Sequence, residues 1–272
     1  MIEVPVRTEV LMGTLVTIHV VAPDTGDAID RAFAWFHEIE ARCTRFDEAS
    51  ELRQLTTSVG VPVPVSPILF EAIRFAVTVA EDTGGAFDAV RKPLERLETA
   101  PSYRDIEIDA VRQTIALRRP LSLDLGAVAK GLAVDAAARE LQPFKNFAID
   151  AGGDLYLGGV NEEGVPWSVG IRHPRVDGSL IDSLRVSDKA VCTSGDYERG
   201  DHIVDPRAGT AAAATASVTV VAPTAMLADA LGTAAFVLGP VEGIALLTRH
   251  GVEGLIVTPA LERHETPEWR RE

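Results

Sequence analysis

Asp229 and Thr233 stand four residues apart in a run otherwise made of Ala, Leu, Met, Phe and one Gly. On a helix that spacing puts both on one face, and a carboxylate beside a hydroxyl offers two oxygens to a hard cation such as Mg²⁺. The plainer alternative is that Thr233 bonds its own i−4 carbonyl, a habit of mid-helix threonine, while Asp229 faces water.

A second chemical signal lies between Leu121 and Asp135. Leu121, Leu123 and Leu125 alternate with Ser122 and Asp124, the period of a strand with one buried face, until Gly126 interrupts them. The apolar spacing of Val128, Leu132, Ala136 and Ala137 then predicts a helix from Ala127 to about Leu141, stopped by Pro143. A strand–glycine–helix junction presents unpaired N–H groups and the positive end of the helix dipole, where a phosphate can sit. Most such junctions are only connections. Lys130, however, falls in the first turn, where the dipole disfavours a cation, and so reads as a lysine reaching for an anionic ligand. A second strand follows, running into Ala151-Gly152-Gly153-Asp154.

The elements that must position these residues can be read in order. Val10 to Val21 reads as a strand with Met12-Gly13-Thr14 at its start, and Asp27 to Ala41 as an amphipathic helix with Ile29, Phe33, Phe36 and Ile39 on one stripe. Thr44 to Leu52 is a polar turn into a short helix. Ser66-Pro67 opens a long helix that Thr83-Gly84-Gly85 ends, before Ala86-Phe87-Asp88. Strands are expected around Ile106 to Ile108 and Thr114 to Leu117, then from Pro166 to Arg172, Leu184 to Val186, Ala190 to Thr193 and Ser217 to Val221. Pro223-Thr224 starts the helix, running to about Leu238, that carries Asp229 and Thr233. The expected fold is α/β, with mixed β-sheets flanked by helices. Residues 1–272 form one compact unit of two interleaved subdomains, with no separable second domain.

Forty acidic against 26 basic residues give a net charge of −14. A basic face for nucleic acid is therefore not expected, and any phosphate-bearing ligand must be held locally against the global field. Cys43 and Cys192 lie far apart without metal-ligand spacing and read as reduced structural thiols. No basic region followed by an apolar stretch opens the chain, and Pro223, Asp229, Pro240 and Glu242 divide the apolar sequence from Ala211 to Leu247. The expectation is a cytoplasmic protein without membrane insertion.

Six motifs in one order resemble the family of FAD:protein FMN transferases, the flavin transferases long labelled thiamine-biosynthesis lipoproteins. They are Met12-Gly13-Thr14; Gly85-Ala86-Phe87-Asp88; Leu123 to Gly131; Ala151-Gly152-Gly153-Asp154; Thr193 to Arg199 with His202-Ile203-Val204-Asp205-Pro206-Arg207; and Ala222 to Met226 with Asp229 to Thr233. The resemblance covers nearly the whole chain. It implies a Mg²⁺-dependent reaction on FAD as substrate, in which FMN passes through its phosphate to a threonine or serine hydroxyl of a target flavoprotein or FMN-carrying domain and AMP leaves.

By the same resemblance, the carboxylate of Asp229, the hydroxyl of Thr233 and the carbonyl of Ala127 would ligate the metal. Met12, Ala49, Ser50, Asp88, Lys130 and His202 with Ile203 would line the FAD site. Asp229, Thr233 and His202 are the candidate catalytic residues, and Asp88, His202 or Asp205 could accept the proton of the incoming hydroxyl.

The chain departs from the family in three places. Glu95 to Asp109, after Pro93-Leu94, is short and lacks the usual tryptophan, the loop between Tyr197 and His202 is short, and Ala208 stands where a threonine is usual. Two alternatives remain: a Mg²⁺-dependent FAD pyrophosphatase, with water in place of the protein hydroxyl, and a non-catalytic FAD-binding protein.

Overall fold

The structure, a computed structural model, describes residues 6–91, 100–199 and 203–269. Eight antiparallel strands make the central sheet, and their order across it is their order along the chain: Val6–Leu11, Thr14–Val20, Phe147–Ala151, Asp154–Gly158, Lys189–Gly195, Ser217–Ala222, Glu253–Val257 and Arg263–Glu265. The first two come from one end of the sequence and the last two from the other, so a single sheet ties both halves of the chain.

Six helices accompany it: α1 (Gly26–Cys43), α2 (Glu51–Thr57), α3 (Pro67–Asp82), α4 (Gly126–Leu141), α5 (Asp196–Arg199) and α6 (Ala225–Arg249). Helices α1, α4 and α6 cover one face of the sheet, where Ile18, Phe36, Phe147, Ile149, Val220 and Phe236 belong to the main core. The hairpin Trp167–Arg172 with Leu180–Val186 covers the other face and closes a smaller core around Leu157, Val191, Leu255 and Trp269. Between α1 and α4 the chain builds α2, α3 and a three-stranded sheet of Val63–Pro64, Thr114–Leu117 and Ile106–Asp109. This insertion is the second of the two interleaved parts. Helices and sheets combine as expected, and every ladder is antiparallel.

Several elements differ from their sequence reading for identifiable reasons. The strand expected from Val10 to Val21 is a hairpin, because Met12 and Gly13 both take positive φ (52° and 74°) and form a two-residue turn. The strand expected over Leu121 to Leu125 is reduced to Ser122–Leu123, paired with Val90–Arg91, because Leu125 already caps α4. α6 runs on past Leu238. Gly239 (φ 78°, ψ −178°) breaks it before Pro240, so two helical segments follow one another. By length and composition α6 could cross a membrane; here it is packed against the sheet strands Lys189–Gly195 and Ser217–Ala222.

Helices α4 and α6 approach each other closely at Gly131. A Cβ on Gly131 would lie 2.5 Å from both the Cα and the N of Met226, so main chain meets main chain there. Gly131→Ala is therefore expected to force the helices apart and cost at least about 1–3 kcal/mol, read as a lowered midpoint in urea unfolding. Wild-type stability in that variant would show that the contact yields without consequence.

Candidate active site

The site forms where the N-terminal halves of α4 and α6 meet the end of the sheet. Ala127 and Lys130 lie in the opening turns of α4, and Asp229 and Thr233 lie on successive turns of α6. Asp154 opens its strand directly after the Gly152-Gly153 turn and is 3% exposed. Its Oδ2 meets Lys130 Nζ at 2.5 Å. Burial works against the charge on Lys130, but Asp154 and then Asp229 outweigh it and hold the ammonium well above the ordinary lysine range.

Lys130 thus does not wait alone for an anion, as its place in the sequence suggested. A carboxylate of the chain itself grips it, and it stays charged at any physiological pH. Asp229 is buried, 8% exposed, so the reading in which it faces water does not hold. Nor does Thr233 Oγ1 bond the carbonyl one turn back among the described hydrogen bonds. Buried beside this group is Cys192. Desolvation first, then Asp154 and Asp229, drive its thiol far above the usual range, so it is inert.

Lys130 is thus flanked by two buried acidic side chains, Asp154 and Asp229. The Asp229 carboxylate, the Thr233 hydroxyl and the Ala127 carbonyl are oxygen donors of the kind a hard divalent cation accepts. They lie on the two helices that meet at Gly131.

The other predicted residues each belong to a local turn, cap or loop. Met12 forms the hairpin turn. That turn abuts the one at Gly152, where a Cβ would fall 2.1 Å from Thr14 Oγ1. Ala49 is exposed. Ser50 is buried and spends its hydroxyl on the fold, donating to Thr44 O (2.6 Å) and capping α2 through Arg53 N. Asp124 Oδ1 accepts from Gly126 N at 3.0 Å, so the helix N-terminus offered to phosphate already carries one carboxylate of the chain.

Of the three proton acceptors considered, Asp88 takes main-chain N–H groups on both oxygens, from Val90 (2.9 Å) and Tyr103 (3.1 Å). Asp205 is tied to Arg207, whose hydrogen bonds hold its carboxyl below the usual range. Both serve their loops first, and Asp205 is a weak base. His202 lies outside the described residues, as do 92–99 in the shortened segment; Ile203 packs against the main core.

Three features were not singled out from the sequence. Phe46 is 80% exposed, with the Arg45 guanidinium 4.0 Å from its ring centre, and Arg45 Nε reaches Asp124 Oδ2 at 2.9 Å. The loop bearing Ala49 is thereby strapped to the start of α4. Arg175 donates twice to Asp196, both at 2.7 Å, fixing the turn that precedes the 200–202 segment. Asp135, on α4, accepts from Ala225 N (2.7 Å) and Met226 N (3.0 Å) at the start of α6. A carboxylate at a position surrounded by Val134, Ala136 and Ala137 was the available signal for it.

Fold and site together define a class, an antiparallel sheet with a buried lysine between two aspartates at a helix crossing, and comparison with known proteins gives that class a family. Residues 12–256 match the ApbE family, and the chain belongs to it. Among its relatives, the FAD:protein FMN transferase of Vibrio cholerae is 30% identical over 90% of this chain and 85% of its own length. That of Treponema pallidum is also 30% identical, over 93% and 84%. The ApbE protein of Thermotoga maritima has a crystal structure with a TM-score of 0.87, 27% identity and 97% coverage of both chains. The flavin transferase ApbE of Vibrio cholerae also superposes at 0.87, with 25% identity over 97% of each.

Burial raises the Asp135 carboxyl to about 6, against the pull of its two N–H donors and Arg139. The folded state therefore holds that proton more tightly than the unfolded chain. The contribution of Asp135 to stability is greatest at low pH and falls as pH rises from about 4 through 6. Relative to Asp135→Asn, wild type should lose about 2 kcal/mol between pH 4.5 and 7.5, measured by urea unfolding at each pH. A constant difference would mean an ordinary carboxylate.

Proposed function

We propose that this chain transfers FMN from FAD to a hydroxyl of a target flavoprotein, the activity for which its relatives are named, and that it does so with Mg²⁺. The observation that carries this is the buried trio of Lys130, Asp154 and Asp229, with Thr233 one turn beyond and Ala127 on the facing helix. A protein that merely held FAD would not need the pair Asp229 and Thr233.

The reaction forms a P–O bond between the FMN phosphorus and a threonine or serine oxygen of the acceptor. It breaks the bond from that phosphorus to the bridging oxygen, so AMP leaves and the hydroxyl proton passes to solvent or a base. Asp229, Thr233 and the Ala127 carbonyl would hold Mg²⁺, which when bound supplies neutralisation of the pyrophosphate oxygens. Asp154 keeps Lys130 charged and in place. The main-chain turn at Met12 and the loop at Ala49 and Ser50, strapped down by Arg45, would border the flavin substrate, with Asp88 fixing its own loop. Little covalent chemistry is left to the protein, which fits a site built of charge and position.

The test is incubation with FAD and Mg²⁺, with and without a small flavin-acceptor domain, weighing the acceptor and following AMP. The acceptor should gain one FMN per AMP released, and EDTA should abolish both. Asp229→Ala should lower turnover by on the order of 100-fold or more while remaining folded. FMN and AMP without a labelled acceptor would instead identify a pyrophosphatase; intact bound FAD would identify a binding protein.

A further inference from the structure

We infer that Asp135 is a positioning residue for the cation site, setting α6 against α4 so that the ligands on the two helices face one another. This rests on reading Asp229, Thr233 and Ala127 as cation ligands. Three observations lead to it.

The first is that the cap of α6 is shared. Thr224 Oγ1, from the helix's own N-terminus, accepts from Leu227 N at 3.3 Å. The donors before it are met from another helix, so this part of the cap also sets the register between α4 and α6. Both oxygens of Asp135 are engaged, on consecutive N–H groups of Ala225 and Met226.

The second is that the joint is fixed from the opposite side as well. Cys192 Sγ donates to Ala225 O at 3.6 Å, so the first residue of α6 is held through its N–H by α4 and through its carbonyl by the strand Lys189–Gly195. Ala127 and Lys130 precede Asp135 on α4 by one to two turns. Asp229 and Thr233 follow Ala225 on α6 by the same reach, with the Gly131–Met226 contact between them. A shift at this joint moves the two ligand-bearing segments relative to each other.

The third is cost. A carboxylate this buried, 8% exposed, with its proton affinity raised by desolvation, is a poor choice for stability alone. Buried ionic groups of this kind have their best-attested use in fixing one arrangement among several.

The experiment measures Mn²⁺ binding to the whole protein by calorimetry, alongside thermal unfolding, for wild type and three variants. Asp135→Asn keeps shape but sets an amide N–H against one of the two donors. It should fold and bind Mn²⁺ at least about 10-fold more weakly, the size of effect usual when a group that orients ligands is removed. In the FMN assay kcat should fall with little change in KM for FAD.

Thr224→Ala removes the local cap without touching the α4 link. It should lower the unfolding temperature yet leave Mn²⁺ affinity within about two-fold, separating register from helix stability. Asp229→Ala should lose Mn²⁺ binding. If it binds as wild type does, the ligand assignment itself fails, whatever Asp135 does. If Asp229→Ala loses the ion while Asp135→Asn retains wild-type affinity, or if Thr224→Ala weakens binding as much as Asp135→Asn, the role of Asp135 is overturned. Should Asp135→Asn fail to fold, Asp135→Glu, which keeps the acceptor but displaces it by a methylene, takes its place with the same expected weakening and the same contrary result.

Discussion

The structure turns on the crossing of α4 and α6. Gly131 lets main chain touch main chain at Met226, and the carboxylate of Asp135 closes the joint by taking two N–H groups from the neighbouring helix. A side chain at 131 would push the helices apart. Much else in the fold serves to fix where that crossing falls. The sheet supplies a floor on which both helices lie, α1 packs against α4 from the other side, and α3 closes against the layer. The insertion between α1 and α4 leads the chain into the start of α4, tied down by Arg45 on Asp124.

Electrostatics gives the crossing its use. The protein carries a net charge of −14, and its field repels a pyrophosphate at a distance. Recognition must come from short-range groups in a region of low dielectric, where each charge counts for more than it would in water. The pairing of Lys130 with Asp154 meets this need in an economical form. It keeps an ammonium ionised against the cost of burial, and Asp229 acts in the same direction. In the proposed reaction, the cation then offsets both the site's charge and the substrate's.

Much of this was legible in the sequence, and the failures have physical reasons. Asp229 and Thr233 do lie on one helix, as their spacing suggested, and Ser66-Pro67 and Thr224 marked helix starts that the structure places at the same residues. Helix α4 hid its contacts because it is buried nearly all round. Without a polar face there is no stripe to show which side meets α6, so Asp135 passed unnoticed. Lys130 was located but its partner was not, since Asp154 lies on a distant strand and ion pairs of high sequence separation leave no local pattern. The N-terminal hairpin was read as one strand because its turn contains Met12 at positive φ, a conformation that residue rarely adopts. The strands Glu253–Val257 and Arg263–Glu265 are short and near the end of the chain, and only the register against Ser217–Ala222 makes them part of the sheet.

The central claim is that α4 and α6 together hold one divalent cation beside Lys130. Crystals grown with Mn²⁺ and FAD, with data collected at the manganese edge, would locate the ion by its anomalous scattering. The account predicts a single strong peak within bonding distance of the Asp229 carboxylate, the Thr233 hydroxyl and the Ala127 carbonyl. A peak elsewhere, or FAD bound with its pyrophosphate away from these residues, would contradict it.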